Sequence, residues 1–308
     1  MEDITKEIYE LAGEEFNISS PKQLGEVLFD KMKITSKPKK TKTGQYSTSE
    51  EVLNELSSKS DLVKLVLKFR SISKFLNTYI NSLPKQLDKY TNRIHTEYVQ
   101  TVASTGRLSS INPNLQNIPI RTNRGQEVRK AFIARNKDYF LMAADYSQIE
   151  LRIIASLSNE ENMINAFKKN EDIHASTASA VFNVPINQVS KEQRSNAKVV
   201  NFGIIYGVSA FGLSNQTKLN RTESKELIEK YFEKYPKLKQ YINNQISFAR
   251  NNGYVETVLG RRRYLKDINS QNSVVRGAAE RNAINAPVQG SAADIIKIAM
   301  INIQRKLS

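Results

Sequence analysis

A chain of 308 residues, 39% hydrophobic and 25% charged, has the composition of a folded protein with room for two or three domains, which excludes a disordered tail or a marginal miniprotein. Its 46 Lys+Arg against 31 Asp+Glu give a net charge of +15, so polyanions are the expected partners. Lacking cysteine, it can build no disulfide frame, thiolate nucleophile or zinc ribbon. It also has no apolar run of about 18 residues and no basic, apolar leader, so it reads as a cytoplasmic protein with no membrane partner.

In chain order, Ser20, Pro21 and Gln23 fit a capping box with a first-turn proline, and Leu24, Val27 and Leu28 follow on one helical face. Six lysines between Lys31 and Lys42 form a loop with no acidic residue, readable as a solvated linker or as a grip on a phosphate backbone. A Thr-Gly-Gln turn follows, then a second helix from about Ser49. From Ser60 the apolar positions Leu62, Leu65, Val66, Phe69, Ile72, Phe75, Leu76, Tyr79 and Ile80 keep a helical period until Pro84.

Residues 93–102 alternate in the manner of a strand, with Ile94, Thr96, Tyr98 and Val102 on one side, and residues 139–146 predict a second, mostly apolar strand. Beyond Glu160 the pattern is helical to Ser308, interrupted by a hairpin over residues 253–265 that carries Arg261, Arg262 and Arg263. Helices with a few irregularly spaced strands give an α+β class rather than a doubly wound sheet.

Two segments can carry chemistry. Asp145-Tyr-Ser-Gln-Ile-Glu-Leu-Arg152 places a carboxylate where an apolar strand turns into a helix, suited to holding a metal or to capping the helix. Arg194, Lys198, Phe202 and Tyr206 stand four residues apart on a helix capped by Ser190. They share one broad face about 18 Å long, which fits a polyphosphate at one end and a stacked base at the other. The alternative is an amphipathic helix with a solvated basic end. Gly203 and Gly207 cost helix stability without packing the core, which weakens that alternative.

These segments resemble motifs A and B of the family A DNA polymerases, most closely those of bacteria. In the same order, Thr105-Gly-Arg-Leu-Ser-Ser110, Asn114-Leu-Gln-Asn-Ile-Pro119, Asp172-Ile-His174 and Arg281-Asn-Ala-Ile-Asn-Ala-Pro-Val-Gln-Gly290 extend the resemblance from about Ala12 to Arg305. It implies a right-hand polymerase fold: a thumb over residues 1–90, a palm with motif A over 91–158, fingers with the motif B helix over 159–271, and a return into the palm over 272–308.

It also implies template-directed DNA synthesis from deoxynucleoside triphosphates by a monomer on primer–template DNA, with two Mg²⁺ ions. Asp145 resembles the catalytic carboxylate that binds both metals, and the Tyr146 carbonyl a further ligand. Arg194, Lys198 and His174 resemble phosphate contacts, Lys198 also being the general acid toward pyrophosphate. Phe202 resembles the residue that packs on the nucleotide, Tyr206 the guard of the template stack, and Glu150 the gate against a ribose 2′-hydroxyl, with Gln148 beside them at the nucleotide. Arg107, Asn114, Gln116, Asn117, Arg281, Asn285 and Gln289 fall where the family touches primer and template, where polar side chains check base-pair geometry in the minor groove.

One departure stands out. The family's second metal-binding carboxylate, from a His-Asp-Glu motif, has no counterpart here: the histidines are His95 and His174, and after Asp145 the aspartates are Asp172, Asp267 and Asp294. The expectation is therefore a fragment that stops before that motif, with an incomplete palm sheet and exposed apolar surface. Such a piece would bind DNA and nucleotide without catalysis. A single-subunit RNA polymerase is disfavoured by Glu150 at the gate.

Overall fold

Most helices begin where a small polar side chain can take up a free backbone N–H. The computed structural model describes residues 1–120 and 122–307, and the chain divides into two compact units, Met1–Glu97 with Ser110–Phe132 and Tyr98–Ser109 with Ile133–Ser308.

In the first unit, α1 (Glu2–Ala12) ends at Gly13 in the left-handed conformation, φ 72°. The helix α2 (Pro21–Gly25) is capped by Ser20 and runs into a π-helical stretch, Glu26–Lys31. The capping box expected there forms by half: Ser20 accepts from the Gln23 N–H, but the Gln23 side chain accepts from the Asn17 N–H instead. Ser49 caps α3 (Glu50–Leu56), and α4 (Asp61–Phe75) continues as a π-helical stretch, Leu76–Ile80. Ile8, Leu24, Leu28, Leu53, Leu62 and Val66 are buried together, each worth about 1.5–3 kcal/mol relative to exposure. In the lysine-rich loop, Lys31 pairs with Glu14, Lys39 pairs with Glu55 at 2.8 Å, and Lys40 lies over the Tyr46 ring.

The strand expected over residues 93–102 shrinks to β1 (Glu97–Val99), paired with β2 (Ser109–Ile111), while Ile94 makes only an isolated bridge to Leu87. Thr122 then caps α5 (Asn123–Lys130). The strand expected over residues 139–146 does not form. An apolar run becomes a strand only where a neighbour takes up its backbone groups, and no described strand pairs with this one. Phe140 and Leu141 are 84% and 67% exposed.

The second unit continues with α6 (Ile149–Ser158), α7 (Glu161–Lys168), α8 (Ile173–Phe182), α9 (Lys191–Ile205), α10 (Ala210–Ser214), α11 (Arg221–Lys234) and α12 (Pro236–Asn252). The expected hairpin is present as β3 (Tyr254–Glu256) against β4 (Arg262–Tyr264), with Val255 opposite Arg263. The last helix, α13 (Ser273–Leu307), carries Pro287 in its interior. Leu151, Met163, Ile173, Ile205, Leu213, Tyr231, Leu238 and Val288 form one buried cluster joining α6 through α13. A second seam of small and aliphatic residues, Ala249, Val255, Leu265, Ala279, Ala283 and Ala286, seats the hairpin on α12 and α13. Mostly helical, with only short strands, the chain has the expected class. No helix among the described residues is long and apolar enough to cross a membrane.

Candidate functional site

The helix α9 is fixed at its start by a complete capping box, Ser190 with Gln193, and beneath it by a buried polar network. Asn201 is fully buried. Its Oδ1 accepts from the Tyr231 hydroxyl at 3.0 Å and the Thr177 hydroxyl at 3.2 Å, and its Nδ2 meets His174 Nδ1 at 3.1 Å. Tyr235 closes the network through Thr177 at 3.1 Å. An unpaired polar atom is costly in a low-dielectric interior, so these bonds favour one register of α8 against α9.

His174 is therefore 4% exposed, with its ring tilted against Phe202 at 5.6 Å. Burial, aided by the Arg194 and Lys198 cations and opposed by Asp172, lowers its pKa below the usual histidine range. With Nδ1 accepting from an amide, the neutral ring keeps its proton on Nε2.

Asp172 holds the mouth of this arrangement. Its Oδ1 accepts from the His174 and Ala175 N–H groups at 2.9 and 3.1 Å, capping α8, and its Oδ2 accepts from Arg194 Nε at 2.8 Å. Burial alone would raise its pKa, but Arg194 and the two amides outweigh it and the carboxyl sits below its usual range. Lys198, Phe202 and Tyr206 line one cleft of about 580 Å³ together with Gly203, Gly207 and Arg281. Gly207 is required there: its φ is +63°, and a Cβ would come within 2.7 Å of Arg281 Cγ.

At the far end of α9, the Tyr206 hydroxyl donates to Glu150 Oε2 at 3.0 Å, and Arg107 pairs with the other Glu150 oxygen. Burial, then Glu150, raises the Tyr206 pKa, with Gln289 and Arg107 opposing. Glu150 lies in the first turn of α6, where a carboxylate is favoured. The residue before that helix, Gln148, is left-handed with φ 55° and supplies no side-chain cap.

Arg281, Asn285 and Gln289 follow at four-residue steps along one face of α13. Gln289 meets Tyr206, whereas Asn285 Nδ2 is buried with no hydrogen-bond partner among the described residues. Asn114, Gln116 and Asn117 belong to the other unit. There the Asn114 side chain accepts from the Gln116 N–H at 2.9 Å, Gln116 Oε1 accepts from the Ser110 N–H at 3.2 Å, and the Asn117 carbonyl accepts from the Tyr79 hydroxyl at 2.5 Å.

Asp145 and Tyr146 stand on the exposed segment before α6. Asp145 does not cap that helix, which begins at Ile149. One carboxylate and one carbonyl are too few to fix a divalent cation, which takes six or more oxygens and usually at least two protein carboxylates when two ions are held. The described residues contain no group of three or more His, Asp or Glu that could hold a metal, so as they stand they do not fit the ion pair that the resemblance implies.

The polar network of Thr177, Asn201, Tyr231 and Tyr235 escapes sequence reasoning, because each residue alone reads as ordinary surface or core. So does the bond between Arg261 and Asp294, 33 residues apart. For Asp172 a signal existed: a small acidic residue just ahead of a helix, two before a histidine.

The family model described as DNA polymerase family A matches residues 1–308. The DNA polymerase I of Caldicellulosiruptor bescii is 52% identical over 301 residues, covering 98% of this chain and 35% of the relative. That of Geobacillus stearothermophilus is 49% identical over 307 residues, covering 100% and 35%. Among solved structures, the POL domain of Pol1 from M. smegmatis, in complex with DNA primer-template and dNTP, superposes with a TM-score of 0.89 at 44% identity, over 99% of this chain and 54% of that one. The chain thus spans about a third of the length of these curated relatives. By the match along its whole length, the chain belongs to DNA polymerase family A.

Proposed function

We propose that this chain forms the nucleotide-holding part of a DNA-directed DNA polymerase, in which a primer 3′-hydroxyl attacks the α-phosphate of a deoxynucleoside triphosphate and pyrophosphate leaves. The observation that carries the reading is α9: cations at one end, rings at the other, and a cleft of about 580 Å³ between Lys198, Phe202, Tyr206 and Arg281. Arg194 and Lys198 neutralise the phosphates, and Lys198 Nζ gives a proton to the leaving pyrophosphate. Phe202 packs on the nucleotide. Gln148 lies beside it, His174 steadies the phosphate end, and Glu150 crowds a 2′-hydroxyl.

Arg107, Arg281, Asn285 and Gln289, with Asn114, Gln116 and Asn117, take primer and template. The unpaired Asn285 donor supports this, since an unsatisfied buried amide gains by meeting an acceptor. Residues 1–90 serve as thumb, 91–158 as palm, 159–271 as fingers and 272–308 as the return into the palm, in a cytoplasmic monomer. Two Mg²⁺ ions would supply charge stabilisation at the phosphates only with ligands beyond the described residues; Asp145 and the Tyr146 carbonyl would be this chain's share of them.

The lone Asp145 favours a second reading for the 308 residues by themselves: binding of DNA and nucleotide without chemistry. Primer extension with Mg²⁺ and the four deoxynucleotides separates the two, using this chain beside a protein of the relatives' full length. Extension by the long protein alone is the expected result, and there Asp145→Ala should abolish extension while primer–template binding persists. Undiminished extension by that variant would overturn the assignment.

A further inference from the structure

The loop of the β3–β4 hairpin is tied to α13 by more than packing. Asp294, 5% exposed on α13, accepts from Arg261 Nε at 2.9 Å and Nη2 at 2.5 Å through one oxygen, and from the Thr257 hydroxyl at 2.8 Å through the other. Beside it the Ser291 hydroxyl accepts from the Val258 N–H at 2.9 Å. A carboxylate this deeply buried is stable only while its cation and hydroxyl remain in place, so the hairpin loop has one position on the helix.

The held guanidinium has a second neighbour. It lies close against Gly106, where an added Cβ would come within 2.8 Å of both Nε and Cζ of Arg261, and where φ is +77°. Gly290 of α13 also lies so close that a Cβ there would meet Thr257 Cγ2 at 2.5 Å and the Thr105 carbonyl oxygen at 3.4 Å. The turn Ala103–Gly106, closed by the Gly106 N–H to the Ala103 carbonyl at 2.8 Å, is thereby wedged between hairpin and helix. The next residue is Arg107, whose side chain ends on Glu150.

We propose that Asp294 is a positioning residue that, by clamping Arg261 onto Gly106, fixes the turn carrying Arg107 and so sets the contact of Arg107 with Glu150 and Tyr206. Neither Asp294 nor Arg261 lines the cleft at Lys198, Phe202 and Tyr206. Their effect passes through the backbone of residues 105 and 106. The geometric coupling stands on these distances; its consequence for primer binding rests on the function proposed above.

The test is the side-chain Nε–H resonance of Arg107 in the ¹⁵N spectrum of the 308-residue chain without DNA, assigned by its loss in Arg107→Ala. In Asp294→Asn the Arg107 resonance is expected to move toward that of free arginine, along with that of Arg261, while resonances of the first unit stay in place. Arg261→Lys keeps a cation for Asp294 but loses the guanidinium atoms that lie against Gly106. It should show the same movement with the fold intact, which keeps the test decisive where Asp294→Asn folds poorly. An Arg107 resonance unmoved by Arg261→Lys overturns the proposal.

A second readout is primer–template affinity. Asp294→Asn should weaken it about fivefold and have no further effect in an Arg107→Ala background; equal losses in both backgrounds would mark a merely structural role and overturn the proposal. Absence of DNA binding by the unsubstituted chain would count against the proposed function, and the Arg107 resonance would then decide the positioning role by itself.

Discussion

The basic end of α9 and the segment that carries Asp145 both resemble catalytic motifs, yet they are held in opposite ways. Around α9, a capping box, a five-residue buried hydrogen-bond network and the shared aliphatic core leave the backbone one arrangement. Residues 139–146 have no strand partner among the described residues and expose their apolar side chains. A site residue is only as well placed as the groups around it. On that measure Lys198 and Arg194 are built in, while Asp145 has a motif without a scaffold.

The sharpest way to break this contrast is to remove the network beneath α9. Asn201→Leu leaves the Tyr231 hydroxyl and His174 Nδ1 without their partner and Thr177 with Tyr235 alone, and should destabilise the second unit by about 3 kcal/mol in urea unfolding. A loss under about 0.5 kcal/mol would mean the network does not fix the helix.

A smaller effect should appear with pH. The pKa of His174 is lowered in the folded chain from the ordinary 6.5, burial being the largest cause. Below about pH 6.5 the unfolded chain binds a proton that the folded chain refuses. Stability should therefore fall as pH drops through that range and level off below the folded pKa. Thermal midpoints at about pH 7.5 and 5.5 should differ less in His174→Gln than in the unsubstituted chain. Smallest of all, Leu141→Thr on the exposed segment should change stability by no more than about 0.5 kcal/mol. A larger loss in the same urea experiment would show that the segment is packed after all.

The contrast also explains which parts were legible in the sequence. Local signals survive: Ser190 and Ser49 announce helix starts, and the turn residues of 253–265 announce a hairpin, because each acts within a few residues of itself. Residues 139–146 read as a strand because an apolar run carries the same signal whether or not a partner lies beside it. Asn201 reads as surface because its partners come from α8 and α11, and Asp294 reads as incidental because Arg261 arrives from a hairpin loop. At the site, motif spacing identified Arg194, Lys198, Phe202 and Tyr206 as sharing a face. The ion pair of Arg194 with Asp172 required the fold.

That ion pair gives Arg194 an intramolecular rival for any anion. The Asp172 carboxylate lies 2.7 Å from the guanidinium, so an anion would bind there only by the margin with which it outcompetes a ligand at high local concentration. On the function proposed above, the pairing would act as a modest threshold: a singly charged anion would gain little over Asp172, whereas a triphosphate would have several charges to share between Arg194 and Lys198. Asp172→Asn, which keeps a helix-capping oxygen, should lower that threshold and let inorganic phosphate inhibit triphosphate binding where it otherwise does not, a change in selectivity that a competition titration would read directly.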